Sequence, residues 1–257
     1  MTRWMSLAAL ALLSLTVAGC ATTQAERLPP QQRIEAAEAN TKLGIEYLQR
    51  GELQQALRKL QKAIEQNPES ANAHMVAGIV YGRLDEPEQA EYHLERAVEL
   101  DPDNSPALNN YGRLLCERGQ TERAVELFEK AAANPLYESP AVPLTNAGLC
   151  VLREGDLERA EALFSRALRN NPQFPPALLR MAEIRYRQDA YLSARGFLQR
   201  LESVSPPSPA IAWLGLRIEH ELGDADAAAS YRLLLTNRYP ESEESAEMLQ
   251  WERDGRL

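Results

Sequence analysis

The stretch ANAHMVAGIVYGRLDEPEQAEYHLERAVELDPDN, residues 71–104, decides the fold. A small pair, Ala77-Gly78, is followed by Tyr81 three residues after the glycine. Ala90 stands twelve residues beyond that glycine, Leu94 and Ala97 follow at helical spacing, and Pro102 ends the run. Two apolar faces of helical period predict a hairpin of two helices. The pattern recurs on both sides. Upstream it is Leu43, Gly44, Tyr47, Ala56, Leu60, Ala63 and Pro68. Downstream it is Tyr111, Gly112, Leu115, Ala124, Phe128 and Ala131, and then Ala147, Gly148, Val151, Ala160, Phe164, Ala167 and Pro172. A fifth copy holds Met181, Ala182, Arg185, Ala194, Leu198, Leu201 and Pro206. The sixth is degenerate: Leu214, Gly215, Ile218, Ala227, Tyr231 and Leu234 hold, with Pro240 one place late.

Units starting at 37, 71, 105, 141, 175 and 208 are spaced by 34, 34, 36, 34 and 33 residues. This resembles the tetratricopeptide repeat, whose period is about 34. The resemblance implies an all-α, right-handed superhelix of six helix-turn-helix repeats. The residue types suit that packing. The small residues let two helices approach closely, and Tyr47, Tyr81, Phe128 and Phe164 fill the space between. Arg50-Gly51-Glu52, Arg118-Gly119-Gln120 and Glu154-Gly155-Asp156 mark turns in which glycine is free to take positive φ. Ser105-Pro106, Ser139-Pro140 and Ser208-Pro209 read as a capping serine followed by a first-turn proline. One hairpin cannot bury its own apolar stripe, so the units must stack. Residues 242–251 read as a C-terminal capping helix, with Ala246, Leu249 and Trp251 as its packing residues.

The formal net charge is -9, and an acidic surface is repelled by phosphates. Nucleic acid is therefore not an expected partner, and membrane attachment needs something other than a basic patch. The N-terminus offers one. Arg3 precedes an apolar stretch from Met5 to Val17, too short to span a bilayer and suited to a signal peptide over residues 1–19. Val17-Ala18-Gly19-Cys20 resembles a bacterial lipobox, which implies cleavage before Cys20 and a covalent lipid on its thiol. Ala21, where an aspartate would favour the inner membrane, points to the outer membrane. Residues 20–36 read as a lipidated tether, able to reach on the order of 50 Å if extended.

Cys116 and Cys150 fall on first helices of neighbouring units, where facing Cα atoms lie about 4–6 Å apart. With Cys20 acylated, the remaining two are expected to form a disulfide clamping units three and four; the alternative is two buried thiols. No chemistry-bearing constellation accompanies them. His74, His93 and His220 have no metal-site neighbourhood, and no nucleophile elbow or phosphate-binding loop appears. The chain reads as a non-enzyme with no metal, no small-molecule substrate and no cofactor beyond the lipid. First helices line the concave face of such a stack. Ile45, Leu48, Met75, Ile79, Arg83, Asn109 and Arg113 accordingly form a candidate partner groove. The alternative is that they touch the tether or the preceding helix.

The central block narrows the family. It runs Asn109-Asn110-Tyr111-Gly112, Cys116, Gly119, Pro135-Leu136-Tyr137 and Asn146-Ala147-Gly148-Leu149-Cys150. The two-residue lengthening between units three and four falls at Pro135-Leu136-Tyr137. With the lipobox, this resembles the PilF/PilW family of type IV pilus biogenesis lipoproteins. The resemblance implies an outer-membrane pilotin facing the periplasm. Such a protein binds the secretin subunit and promotes its assembly into the ring through which the pilus exits. The alternative is a periplasmic lipoprotein adaptor that scaffolds peptidoglycan enzymes.

Overall fold

The computed structural model describes residues 29–257, which form thirteen helices and no strand. The first helices of the six hairpins are α1 (Pro30–Gln49), α3 (Ala71–Arg83), α5 (Ser105–Glu117), α7 (Ala141–Arg153), α9 (Pro175–Arg187) and α11 (Pro209–Leu222). Their partners are α2 (Leu53–Gln66), α4 (Pro87–Leu100), α6 (Thr121–Ala133), α8 (Leu157–Asn170), α10 (Tyr191–Glu202) and α12 (Ala225–Arg238). The helix α13 (Glu243–Arg253) closes the array. Each hairpin packs on the next, and together they form the tetratricopeptide superhelix.

One contact recurs within the hairpins. A glycine on the first helix faces a large side chain sixteen residues later on the second. A Cβ built on Gly78 would stand 2.6 Å from Leu94 Cγ, and one on Gly148 would stand 2.7 Å from Phe164 Cε1. Gly44 meets Leu60, Gly112 meets Phe128 and Gly215 meets Tyr231 in the same way. In the fifth unit Ala182 and Leu198 take these places, and both are buried. The neighbouring alanines Ala56, Ala90, Ala124, Ala160 and Ala194 have no exposed surface.

Turns follow the sequence in three units, with Gly51, Gly119 and Gly155 at φ +76°, +73° and +84°. Units two and five lack that glycine. Asp85 and Asp189 take the left-handed conformation instead, at φ 60° and 56°. Aspartate tolerates it because its short polar side chain bonds locally. Two of the three expected serine caps are corrected. Asn104, not Ser105, caps α5 by accepting from the Ala107 N–H at 3.0 Å, and Ser105 is buried in the first turn. At α7 the cap residue is Pro140, and no side chain caps the helix. Ser208 does cap α11, accepting from Ile211 N–H at 3.3 Å.

The tether boundary is also corrected. Helix α1 begins at Pro30, seven residues before the first repeat boundary. Its proline sits at the helix start, where a missing N–H costs nothing. Residues 30–36 bury almost nothing, so no apolar periodicity announced them; Ala37, Thr41 and Gly44 are the buried positions. The signal peptide, Cys20 and residues 20–28 lie outside the described residues.

The core is a ribbon running through the stack rather than a single centre. Ion pairs stitch successive units along the second helices, joining Arg159 to Glu122 and Arg166 to Glu129. Glu219 is buried on α11, and Arg195 of α10 pairs with it through two nitrogens. At the C-terminal end a second cluster joins Trp213, Leu216, Leu235 and Met248. The packing residues expected of α13 are corrected here. Met248 and Ser245 are buried, Trp251 sets its ring edge-on to Trp213 at 5.0 Å, and Ala246 and Leu249 face outward. The apolar face starts one residue earlier than the sequence pattern suggested.

His74 of α3 and His93 of α4 face each other, Nδ1 to Nδ1 at 3.0 Å. His74 Nε2 lies 3.2 Å from the Pro68 carbonyl and donates to it. Its Nδ1 is therefore the acceptor and His93 Nδ1–H the donor, with both rings neutral. Burial pushes both rings down from their ordinary range, His93 to about 4 with the proximity of His74 adding to the fall.

Two measurements test this packing. Gly148→Ala should destabilise the protein by about 1–3 kcal/mol, the usual cost of overpacking. Adding Phe164→Leu should recover part of that loss, because it recreates the pairing of unit five; a double-mutant cycle in urea reads the coupling. The histidine pair predicts a pH dependence. The unfolded chain takes up protons from about pH 6.5 downward while the folded pair resists. The melting temperature should therefore fall as pH drops from 7 towards 4, and His93→Phe, which keeps the stacking on Tyr81, should flatten that slope.

Candidate binding groove

The first helices bring together part of the expected groove. Ile79, Arg83 and Arg113 line one hollow of about 210 Å³ between α3 and α5. Its floor is Gly78, Gly82, Ala90 and Leu94, and Asn110, Leu114 and Glu117 complete the far wall. Gly78 and Gly82 are one helical turn apart; the space beside Gly78 is filled by Leu94, while that beside Gly82 is open. Gly82 is exposed, and a Cβ there would meet only Ala90 Cβ at 3.9 Å.

Ile45, Leu48 and Met75 lie outside the hollow. They are half-buried and packed against the core, so much of their surface serves the stack. Arg83 reaches back to this part of the groove, with Nη1 3.5 Å from the Leu48 carbonyl. Asn109 is corrected. It is buried, and its Oδ1 accepts from Asn146 Nδ2 at 2.8 Å. It is a strut between α5 and α7, not a free groove wall. Gly82 and Asn110 were missed by the sequence reading. Gly82 sits one turn past the repeat's own glycine, which was the available signal.

Some arginines on second helices sit in ion pairs with glutamates of neighbouring units, as Arg159, Arg166 and Arg195 do. Arg83 and Arg113 make no ion pair among the described residues. Asn110 Nδ2 donates to the Pro106 carbonyl at 2.8 Å, which leaves its Oδ1 open.

Beside the hollow, the sulphurs of Cys116 and Cys150 lie at bonding distance, 2.14 Å, with Cα atoms 5.7 Å apart. This link and the Asn109–Asn146 bond span the same two helices, α5 and α7. The two helices belong to units between which the repeat period is two residues longer, and the loop there bears Leu136, which is 88% exposed.

Comparison with known proteins places this arrangement. Tetratricopeptide repeat family models match residues 41–105, 93–126 and 151–218. The type IV pilus assembly protein PilF of Pseudomonas aeruginosa is 34% identical over 238 residues, which covers 92% of this chain and 94% of that protein. The chain belongs to the PilF/PilW family. The solved structure of Pseudomonas aeruginosa PilF covers 85% of this chain and 99% of its own, with a TM-score of 0.77 and 34% identity. That of PilW, described as a widely conserved type IV pilus biogenesis factor, gives 0.74 at 30% identity and covers 83% of this chain and 98% of its own. MamA matches at 18% identity with a TM-score of 0.54 and covers 62% of this chain and 92% of its own, a likeness of fold alone. Among the described residues, no helix is long and apolar enough to cross a membrane.

The Cys116–Cys150 link closes a loop of 34 residues. Reduction, or replacement of both cysteines by alanine, should lower unfolding stability by about 3–4 kcal/mol on loop-closure grounds. Urea unfolding with and without reductant measures it, and rapid alkylation of freshly prepared protein should find neither thiol free.

Proposed function

We propose that this protein is a pilotin. It is tied to the outer membrane by a lipid on Cys20, binds the secretin subunit of the type IV pilus, and promotes that subunit's localisation and assembly into the export ring. The observation that carries the reading is kinship to a pilus assembly protein along 92% of the chain. A role in type IV pilus biogenesis follows from that kinship, and the fold gives the role its character: a stack of tetratricopeptide hairpins binds protein partners. The finer steps rest on chemistry. Two acyl chains give stable anchoring, since each buried CH₂ contributes roughly 0.8 kcal/mol. The anchor supplies the address, and the concave face supplies the grip. No cofactor and no catalysis enter this mechanism.

Cys20→Ser removes the attachment without touching the repeats. Secretin multimers in the outer-membrane fraction should fall sharply, with monomer accumulating elsewhere, and twitching motility should be lost. Normal ring assembly by this variant would overturn the anchoring mechanism. Recovery of a peptidoglycan hydrolase instead of secretin with the wild-type protein would favour an adaptor role.

A further inference from the structure

We propose that the hollow between α3 and α5 holds an extended segment of a partner protein, seating one bulky aliphatic side chain beside a carboxylate. The inference rests on reading the concave face as a partner site, and it names what that face selects. Three observations carry it.

The first is size. At about 210 Å³ the hollow is smaller than the roughly 300–1,000 Å³ of small-molecule sites and suits a single large side chain. Ile79, Leu94 and Leu114 supply apolar walls, and Gly82, beside which a side chain would have open space, supplies the depth.

The second is charge. In a protein of net charge -9, two exposed arginines stand at this hollow without an ion pair. Guanidinium is weakly hydrated and presents a planar fork that matches a carboxylate. Arg83 belongs to α3 and Arg113 to α5, so one carboxylate lying between the two helices would meet both. Glu117 also lines the hollow, one turn beyond Arg113. It repels a carboxylate at its own end and so fixes the direction in which the segment lies.

The third is an open side-chain acceptor. Asn110 has spent its N–H₂ on Pro106, and its Oδ1 is left to accept from a main-chain N–H of the incoming segment. An extended strand presents such groups unpaired.

The test uses the purified repeat-bearing chain and a displayed library of random 12-residue peptides. Selected peptides should carry an Asp or Glu next to Leu, Ile, Val or Phe. The best of them should bind at least tenfold more weakly to the double variant Arg83→Glu, Arg113→Glu, and its affinity should fall with added salt. Gly82→Leu should fill the hollow and weaken binding by at least tenfold. Its circular dichroism and melting should stay near wild type, because Gly82 is exposed and a Cβ there meets only Ala90 Cβ, at 3.9 Å. A selection that enriches no acidic residue, or returns no binder, would overturn the proposal, as would both variants binding within twofold of wild type. Secretin pull-down separates this outcome from the pilotin reading. If the arginine variant still captures secretin at wild-type level, the hollow is not the grip but the pilotin role stands. If wild type selects acidic-aliphatic peptides but captures no secretin, the hollow stands and the pilotin role fails.

Discussion

The stack depends on a small residue, glycine in five of the six hairpins and Ala182 in the fifth, pressed against a large side chain sixteen residues further on. That contact sets how closely the two helices of a hairpin lie. It leaves no room for a methyl group, since built Cβ atoms fall 2.5–2.9 Å from Leu60, Leu94, Phe128, Phe164 and Tyr231. Interiors are packed as densely as organic crystals, so such a contact is a hard stop rather than a preference. Once the hairpin is fixed, its outer apolar stripe is presented to the next unit, and successive hairpins pack together.

A stack built this way has ends and a middle that differ. At the C-terminal end of the described residues, Met248 and Trp251 of α13 cover Trp213 and Leu235. In α12 only Leu235 is fully buried, which is why the sixth copy of the pattern has drifted. In the middle the period lengthens, and α5 and α7 are held by both the Cys116–Cys150 link and the Asn109–Asn146 bond. The hollow with its two arginines opens directly beside this stiffened pair.

The repeat was legible because its physics is local. Helical period, small residues for close approach and glycine for left-handed turns can all be read within one unit. What stayed hidden depends on contacts between units or on exposed surface. Asn109 reads as groove lining until Asn146 of the next helix meets it. The phase of α13 is set by Trp213, thirty residues upstream of Glu243 and more. Asp85 and Asp189 hold turns that the sequence marks with glycine elsewhere. The start of α1 carried no apolar signal at all, because its first residues face solvent. Gly82 was visible as a letter, but its meaning appears only when Gly78 and Leu94 are seen beneath the same hollow.

The early start of α1 has a mechanical consequence. Its twenty residues make a rod about 30 Å long at 1.5 Å per residue, and only the later part is braced by α2 and α3. The first two turns jut from the stack as a stiff bowsprit. The start of the helix at Pro30 therefore stands about 10 Å from Ala37, its first buried residue, and holds a fixed place relative to the concave side.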